Sequence, residues 1–125
     1  MAKEKTSFSV RSKIWIEDVE GNVVFGLGRY RMLEVIGRLG SMNAAARELH
    51  MSYRAVWIRI RSSEKRIGKT LVSRQGKGSQ LTPFAEDLMK QFKRLQSIVE
   101  AESNDVYESL ISDHLNLVSF QKIKK

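Results

Sequence analysis

Cysteine is absent from the 125 residues, so neither disulfides nor thiolate-held metal can organise this chain. Histidine is nearly absent: His50 and His114 are the only imidazoles, and they stand far apart in sequence. No apolar run approaches the ~20 residues that a membrane-spanning helix needs. The opening MAKEKTSFSV is charged without an apolar stretch, which argues against a secretory leader and makes the cytoplasm the expected compartment. Proline occurs once, at position 83. Against these absences, 42% of the residues are hydrophobic, enough for one folded domain with a modest core and room for an extended dimerisation element.

Catalytic chemistry finds no footing. Glu17 and Asp18 are adjacent in a strand-like stretch and so point to opposite faces, unlike a general acid/base pair. Gly26-Leu27-Gly28 before a helical pattern lacks the third glycine and the βαβ setting of a nucleotide-binding turn. No Ser–His or carboxylate–His spacing is usable. The expectation is a protein that is not an enzyme, with no metal and no cofactor.

The formal net charge is +8, and its placement is informative. Residues 29–94 hold 15 Lys and Arg against 5 Asp and Glu, residues 1–28 hold 4 of each, and residues 95–125 hold 3 against 5. A basic field confined to the middle of the chain attracts phosphate backbones.

Within that region lies GSMNAAARELHMSYRAVWIRIRSSEKRI, Gly40 to Ile67. Ser41 can cap a short helix over about 42–49 that buries Ala45 and Leu49. After the break at His50-Met51, Ser52 can cap a second over 53–67, carrying Val56, Ile60 and Ile67 at helical spacing. The alanines at 44–46 let two steeply crossing helices approach. This is the sequence form of a helix-turn-helix, whose second helix enters the DNA major groove.

The surroundings complete a fold class: mainly α with small β hairpins, a winged helix-turn-helix with a long C-terminal dimerisation helix. SKIWIEDV at 12–19 alternates, with Ile14 and Ile16 on one face; Val23-Val24-Phe25 is β-forming, and Gly21-Asn22 sits at the bend. Gly26-Leu27-Gly28 is expected to end that hairpin, with a helix from Arg29 whose stripe is Tyr30, Leu33, Ile36 and Leu39 and which closes at Gly40. Gly37 weakens it by about 1 kcal/mol relative to alanine and marks close contact with a neighbour. Gly68 terminates the recognition helix. Residues 70–74 and 79–81 read as a small hairpin around Gln75-Gly76-Lys77-Gly78, a wing. Thr82 as N-cap with Pro83 at N1 starts the long helix. Its apolar positions Phe84, Leu88, Phe92, Leu95 and Val99 outrun a small core, so Leu88, Phe92, Leu95 and Val99 are expected to meet a second subunit. Residues 1–11 read as a flexible N-terminus, 12–102 as the winged domain with its hairpin and dimerisation helix, and 103–125 as an apolar segment with a basic end. In that last segment Val106, Leu110, Ile111, Leu115, Leu117, Val118 and Phe120 either extend the helix or fold back, and Lys122, Lys124 and Lys125 form the tail.

The period divides the recognition helix. With Val56, Ile60 and Ile67 inward, Tyr53, Arg54, Trp57, Ile58 and Arg61 fall on or beside the outer face. Ser52 and the Tyr53 amide suit phosphate at a helix N-terminus, and Ser41 is the corresponding candidate on the preceding helix. Arg54 and Arg61 can reach guanine O6 and N7, or phosphate. Trp57 is either a half-buried core edge or a contact to sugar or a thymine methyl. Ile58 suits apolar base contact or a subunit contact, whereas Arg59 and Lys65 suit solvent or phosphate. In the wing Arg74, Lys77 and Ser79 would approach flanking DNA, with Gly76 and Gly78 letting the loop run close to it.

GSMNAAARELHMSYRAVWIRI followed by LVSRQGKGSQLTPFAEDLM resembles the winged helix-turn-helix domain of ModE-type molybdate-responsive regulators. LysR-type regulators share the Gly-Ser…Ala-Ala…Leu…Ser…Ala-Val…Ile frame and the Leu-Thr opening the next helix. Ser52-Tyr53-Arg54, Trp57 and the Gly-Lys-Gly wing favour the ModE side, since LysR-type proteins usually show Ser-Gln-Pro and a serine. The resemblance covers roughly residues 12–100. It implies a dimer held by the N-terminal elements and the long helix, with Ser52, Tyr53, Arg54, Trp57 and Arg61 on the DNA-facing helix and Arg74 to Ser79 in the wing. ModE-type proteins continue into molybdate-binding domains and LysR-type proteins into an effector domain; this sequence stops at Lys125, so molybdate sensing is not carried over. The expected partners are double-stranded DNA and a second copy, with no membrane. Alternatives are an architectural, non-specific DNA-binding protein and a winged-helix module that contacts another protein.

Overall fold

Each helix of the motif starts where a serine hydroxyl can replace a missing backbone acceptor. The computed structural model describes residues 7–117 and separates into two compact units. The unit Ile14–Phe92 contains strands β1 (Trp15–Glu17) and β2 (Val23–Gly26), helices α1 (Leu27–Leu39), α2 (Met42–Glu48) and α3 (Tyr53–Ile67), strands β3 (Val72–Gln75) and β4 (Gly78–Leu81), and the start of helix α4 (Pro83–Val106). Ser41 Oγ accepts the Ala44 amide at 3.1 Å and Ser52 Oγ accepts the Ala55 amide at 3.0 Å, so both caps form as the sequence predicts. Between them His50, at φ 56°, takes the left-handed turn that reverses the chain. Gly40 at φ 70° and Gly68 at φ 81° close α1 and α3, their amides donating to Ile36 and Glu64 carbonyls at 2.7 and 2.8 Å.

The core sits where these three helices meet the sheets. Leu33, Ile36, Ala45, Val56, Ile60 and Leu71 are fully buried together with Phe25. Two expectations shift here. Helix α1 begins at Leu27 rather than Arg29: Gly26 is still paired with Trp15 in the sheet, and the chain passes directly from extended to helical, with Gly28 in a first turn whose amides need no helical partner. The first hairpin is also shorter than 12–19 because Asp18 ends it. Its carboxylate accepts the Glu20 and Asn22 amides, both at 2.9 Å, and those bonds hold Asp18 below the usual carboxylate range. The bend therefore spans Asp18 to Asn22, with Gly21 at φ 86°.

The wing is antiparallel, Val72 opposite Leu81 through Gln75 opposite Gly78. A Cβ at Gly37 would lie 2.9 Å from Leu81 Cδ1, so the glycine in α1 does mark close contact, with β4. Thr82 Oγ1 accepts the Ala85 amide at 3.1 Å and donates to the Thr70 carbonyl at 2.7 Å, capping α4 and closing the base of the wing.

In the other unit the segment up to Lys13 accompanies the chain from Lys93 onward. Val10 donates its amide to Asn104 Oδ1 at 2.7 Å, and Arg11 pairs with Glu100 at 3.8 Å. Residues 103–115 extend the helix rather than fold back: α4 passes into a π-helical stretch, Tyr107–Ser112, and a last turn, α5 (Asp113–Leu115). Leu110, Ile111, Leu115 and Leu117 are exposed along it. Val118, Phe120, Lys122, Lys124 and Lys125 lie outside the described residues.

Phe92, expected at a subunit seam, is 3% exposed, its ring 5.3 Å edge-to-face from Phe25. Leu88 likewise packs against the core. The four-residue rhythm alone does not reveal that the start of α4, through Phe92, is needed to close the domain. Phe92→Ala should destabilise the fold by about 3–5 kcal/mol, read as a fall in the urea midpoint, by the cavity it leaves.

Candidate nucleic-acid interface

Helix α3 has three exposed or half-exposed rows, set by its period. Arg54, Ile58 and Lys65 form the crest opposite the buried Val56 and Ile60. Tyr53, Trp57, Arg61 and Glu64 form the row facing the wing. Arg59, Ser62 and Arg66 form the remaining row. Tyr53, Trp57 and Ile58 are 46, 44 and 46% exposed. Trp57 is thus a surface residue rather than a core edge, and an isoleucine on the crest has no intramolecular reason to stand there.

Between the wing-facing row and the wing lies a groove of about 430 Å³. Ser41 and Asn43 from the start of α2, Tyr53, Trp57 and Arg61 from α3, and Arg74, Lys77 and Ser79 from the wing line it. The structure therefore brings together elements separated by almost forty residues. Arg54 and Ile58 stand outside the groove on the crest. Among the described residues Arg54, Arg74 and Lys77 make no ion pair or hydrogen bond, leaving their charges available.

Arg61 is different. Its Nη1 donates to Glu64 Oε1 at 2.7 Å and to the Val72 carbonyl at 3.2 Å, and its guanidinium lies 6.0 Å from the Trp57 ring centroid. It is a tethered cation on the lining of the groove. Glu64 in turn accepts the Leu71 and Val72 amides on Oε2, at 2.7 and 3.1 Å. Burial pushes its carboxyl up, but the Arg61 hydrogen bond and the two amides outweigh burial, so it titrates below its ordinary value.

Sequence reasoning missed Asn43, Ser73 and Glu64. Asn43 occupies the exposed first turn of α2, a position that the Ser41 cap could have flagged. Ser73 follows the strand period. Glu64 carried only the i,i+3 spacing to Arg61, because its other partners, the Leu71 and Val72 amides, come seven and eight residues later where the wing begins.

At the wing's far strand, the Ser79 amide donates to the Gly40 carbonyl at 2.9 Å. A Cβ at Gly78 would stand 2.5 Å from that same oxygen, so Gly78 is required for close approach. No group of three His, Asp or Glu side chains among the described residues gathers as a metal site. Nor is any described helix long and apolar enough to cross a membrane.

Residues 27–86 match the family described as bacterial regulatory helix-turn-helix protein, lysR family. The chain is 31% identical over 93 residues to the molybdenum-pterin-binding protein MopB of Rhodobacter capsulatus, covering 70% of this chain and 34% of that protein. It is 36% identical over 73 residues to the molybdenum transport protein ModE of Azotobacter vinelandii, covering 54% of this chain and 27% of that one. The chain thus spans about a third or less of these relatives. Its fold is similar to the CbnR DNA-binding domain in a crystal structure with DNA, at a TM-score of 0.52 and 22% identity, over 65% of this chain and 92% of that one.

Glu64→Gln should lower stability by about 1–3 kcal/mol at pH 7, since one part-buried charge-assisted bond is lost. Glu64 is held ionised in the fold, so its contribution is complete above the ordinary carboxylate pKa and fades as pH falls through its lowered value. Urea titrations of both proteins from pH 7 to pH 3 should show the gap between them closing toward acid.

Proposed function

We propose that residues 27–86, which match the lysR-family helix-turn-helix description, form a DNA-binding domain, and that this chain is a sequence-specific transcriptional regulator acting on double-stranded DNA as a homodimer. The observation that carries this reading is the exposed crest and wing-facing row at the start of α3, where Tyr53, Arg54, Trp57 and Ile58 stand without an intramolecular role sufficient to explain them.

In this reading the first turns of α3 enter the major groove. Arg54 on the crest reaches base edges, its fork suited to guanine O6 and N7, and Ile58 offers apolar contact to a thymine methyl. Ser52 and Ser41 bring helix N-termini to phosphates. Arg61 lies over Trp57 and directs its free donors at the backbone, so it positions more than it reads. Arg74, Lys77 and Ser79 lay the wing on flanking DNA.

Dimerisation draws on what the core leaves exposed. Leu88 and Phe92 are engaged within the domain, whereas Leu95 and Ile98 are exposed on the next turns of α4, with Val99 beside them. Two recognition helices held by such a seam would address half-sites about 34 Å apart or a multiple of it.

Selection of bound duplexes from random DNA should return one two-fold motif. Arg54→Ala should then lose about 1–3 kcal/mol of preference at one base position, while Lys77→Ala weakens all duplexes alike and lowers the salt slope by about 1. Recovery of no motif would leave an architectural protein. Leu95→Glu with Ile98→Glu should convert a sedimenting dimer to monomer, and a wild-type protein already monomeric at micromolar concentration would remove the dimer from the reading.

A further inference from the structure

The third row of α3, on the side away from the wing, carries a basic cluster that the reading above leaves unused. Arg29, at the start of α1, donates from Nε to Ser63 Oγ at 2.7 Å and from Nη2 toward Ser62 Oγ at 3.5 Å. Ser62 Oγ donates in turn to the Arg59 carbonyl at 3.1 Å, so Arg29 is held across α3 beside Arg59. Arg66, one turn further on, donates to the Val23 carbonyl at 2.7 Å and lies 3.9 Å from Asp18.

Of these three guanidiniums only Arg66 meets a carboxylate, Asp18; among the described residues neither Arg29 nor Arg59 is in an ion pair. Burial, then the charges of Arg59 and Arg66, disfavour the protonated form of Arg29. Like charges held together by serine hydroxyls gain nothing from one another in the free protein; a phosphate between them would relieve the repulsion. Arg66 already has a counter-charge in Asp18, whereas Arg29 bonds only serine hydroxyls and Arg59 only the Ala55 carbonyl of its own helix, at 3.2 Å, which leaves Arg29 and Arg59 as the pair without a counter-charge.

The geometry of insertion says which phosphate. A helix is about 10–12 Å across and the major groove about 12 Å wide, so a helix lying in it meets both walls. The wing-facing row, with Arg61 and the wing cations, addresses one strand. The opposite row faces the other strand. We propose that Arg29 and Arg59 form a second phosphate-binding row that grips the backbone of the DNA strand across the major groove from the wing. This rests on the recognition-helix reading above.

The test uses the full chain and the best duplex selected from random DNA, with neutral methylphosphonate linkages placed singly along each strand. Arg59 is exposed, so Arg59→Gln should leave the urea midpoint unchanged. It should reduce the slope of log K against log salt by about 0.9 and abolish the methylphosphonate penalty at phosphates of one strand only. Lys77→Ala should abolish it on the other strand. Arg29→Lys, which keeps the charge but not the fork, should retain most of the slope. An unchanged slope in Arg59→Gln, or loss on the same strand as Lys77→Ala, would overturn the second row while selection and Arg54→Ala still uphold the recognition helix. Failure of the wild type to select any duplex overturns both.

Discussion

The carboxylate of Glu64 is the interaction on which the interface geometry depends. One oxygen takes Arg61 on its own helix and the other takes two successive amides where the wing begins, at Leu71 and Val72. A neutral side chain of the same shape could keep at most part of this, since ionised acceptors make roughly twice as strong a bond as neutral ones. Because Val72 also returns its carbonyl to Arg61, helix, acid, arginine and strand close a ring. The wing is thereby registered to the recognition helix by side-chain chemistry rather than by loop length.

The same accounting sorts the arginines. Arg38, Arg61 and Arg66 are in ion pairs and Arg29 is held by serine hydroxyls without a counter-charge, whereas the side chains of Arg54 and Arg74 hold no partner among the described residues. A basic surplus in the middle of the chain is thus two populations, one that ties elements together and one that projects. Net charge cannot separate them. The distinction decides which substitutions report on stability and which leave the fold untouched.

Local signals were readable in the sequence because they act locally. Ser41, Ser52 and Thr82 cap helices by bonding amides three residues on, and Gly40 and Gly68 end them by a backbone conformation. The motif helices, the wing and the start of α4 follow from these alone. Crossing the chain is another matter. Asp18 shortens the first hairpin by capturing its turn, and Gly26 passes without a break into α1, where a Gly-Leu-Gly stretch looks like a stop. Phe92 belongs to the core because Phe25 and Tyr30 stand beside it, a fact no periodicity within α4 contains. For the candidate interface the outward residues of α3 were legible by exclusion, once Val56 and Ile60 were placed inside. The tethering of Arg61, the pairing of Arg29 with Ser63 and the role of Glu64 were not, since each joins residues from separate elements or from opposite ends of a turn.

The wing is anchored twice, and the two anchors act on different strands. Glu64 fixes β3 at Leu71 and Val72, and the Gly40 carbonyl fixes β4 at Ser79. Gly40 can serve because its left-handed backbone both ends α1 and turns its carbonyl toward β4, and Gly78 lets that carbonyl approach without a Cβ in the way. Residues 73–78 lie between the two anchors. A hairpin held at the base of one strand and near the tip of the other follows the orientation of α1 and α3, and a two-stranded hairpin alone would be marginal in water. Lys77 and Arg74 are therefore carried on an arm whose aim is set by the helix-turn-helix itself, so α3 and the wing present one surface.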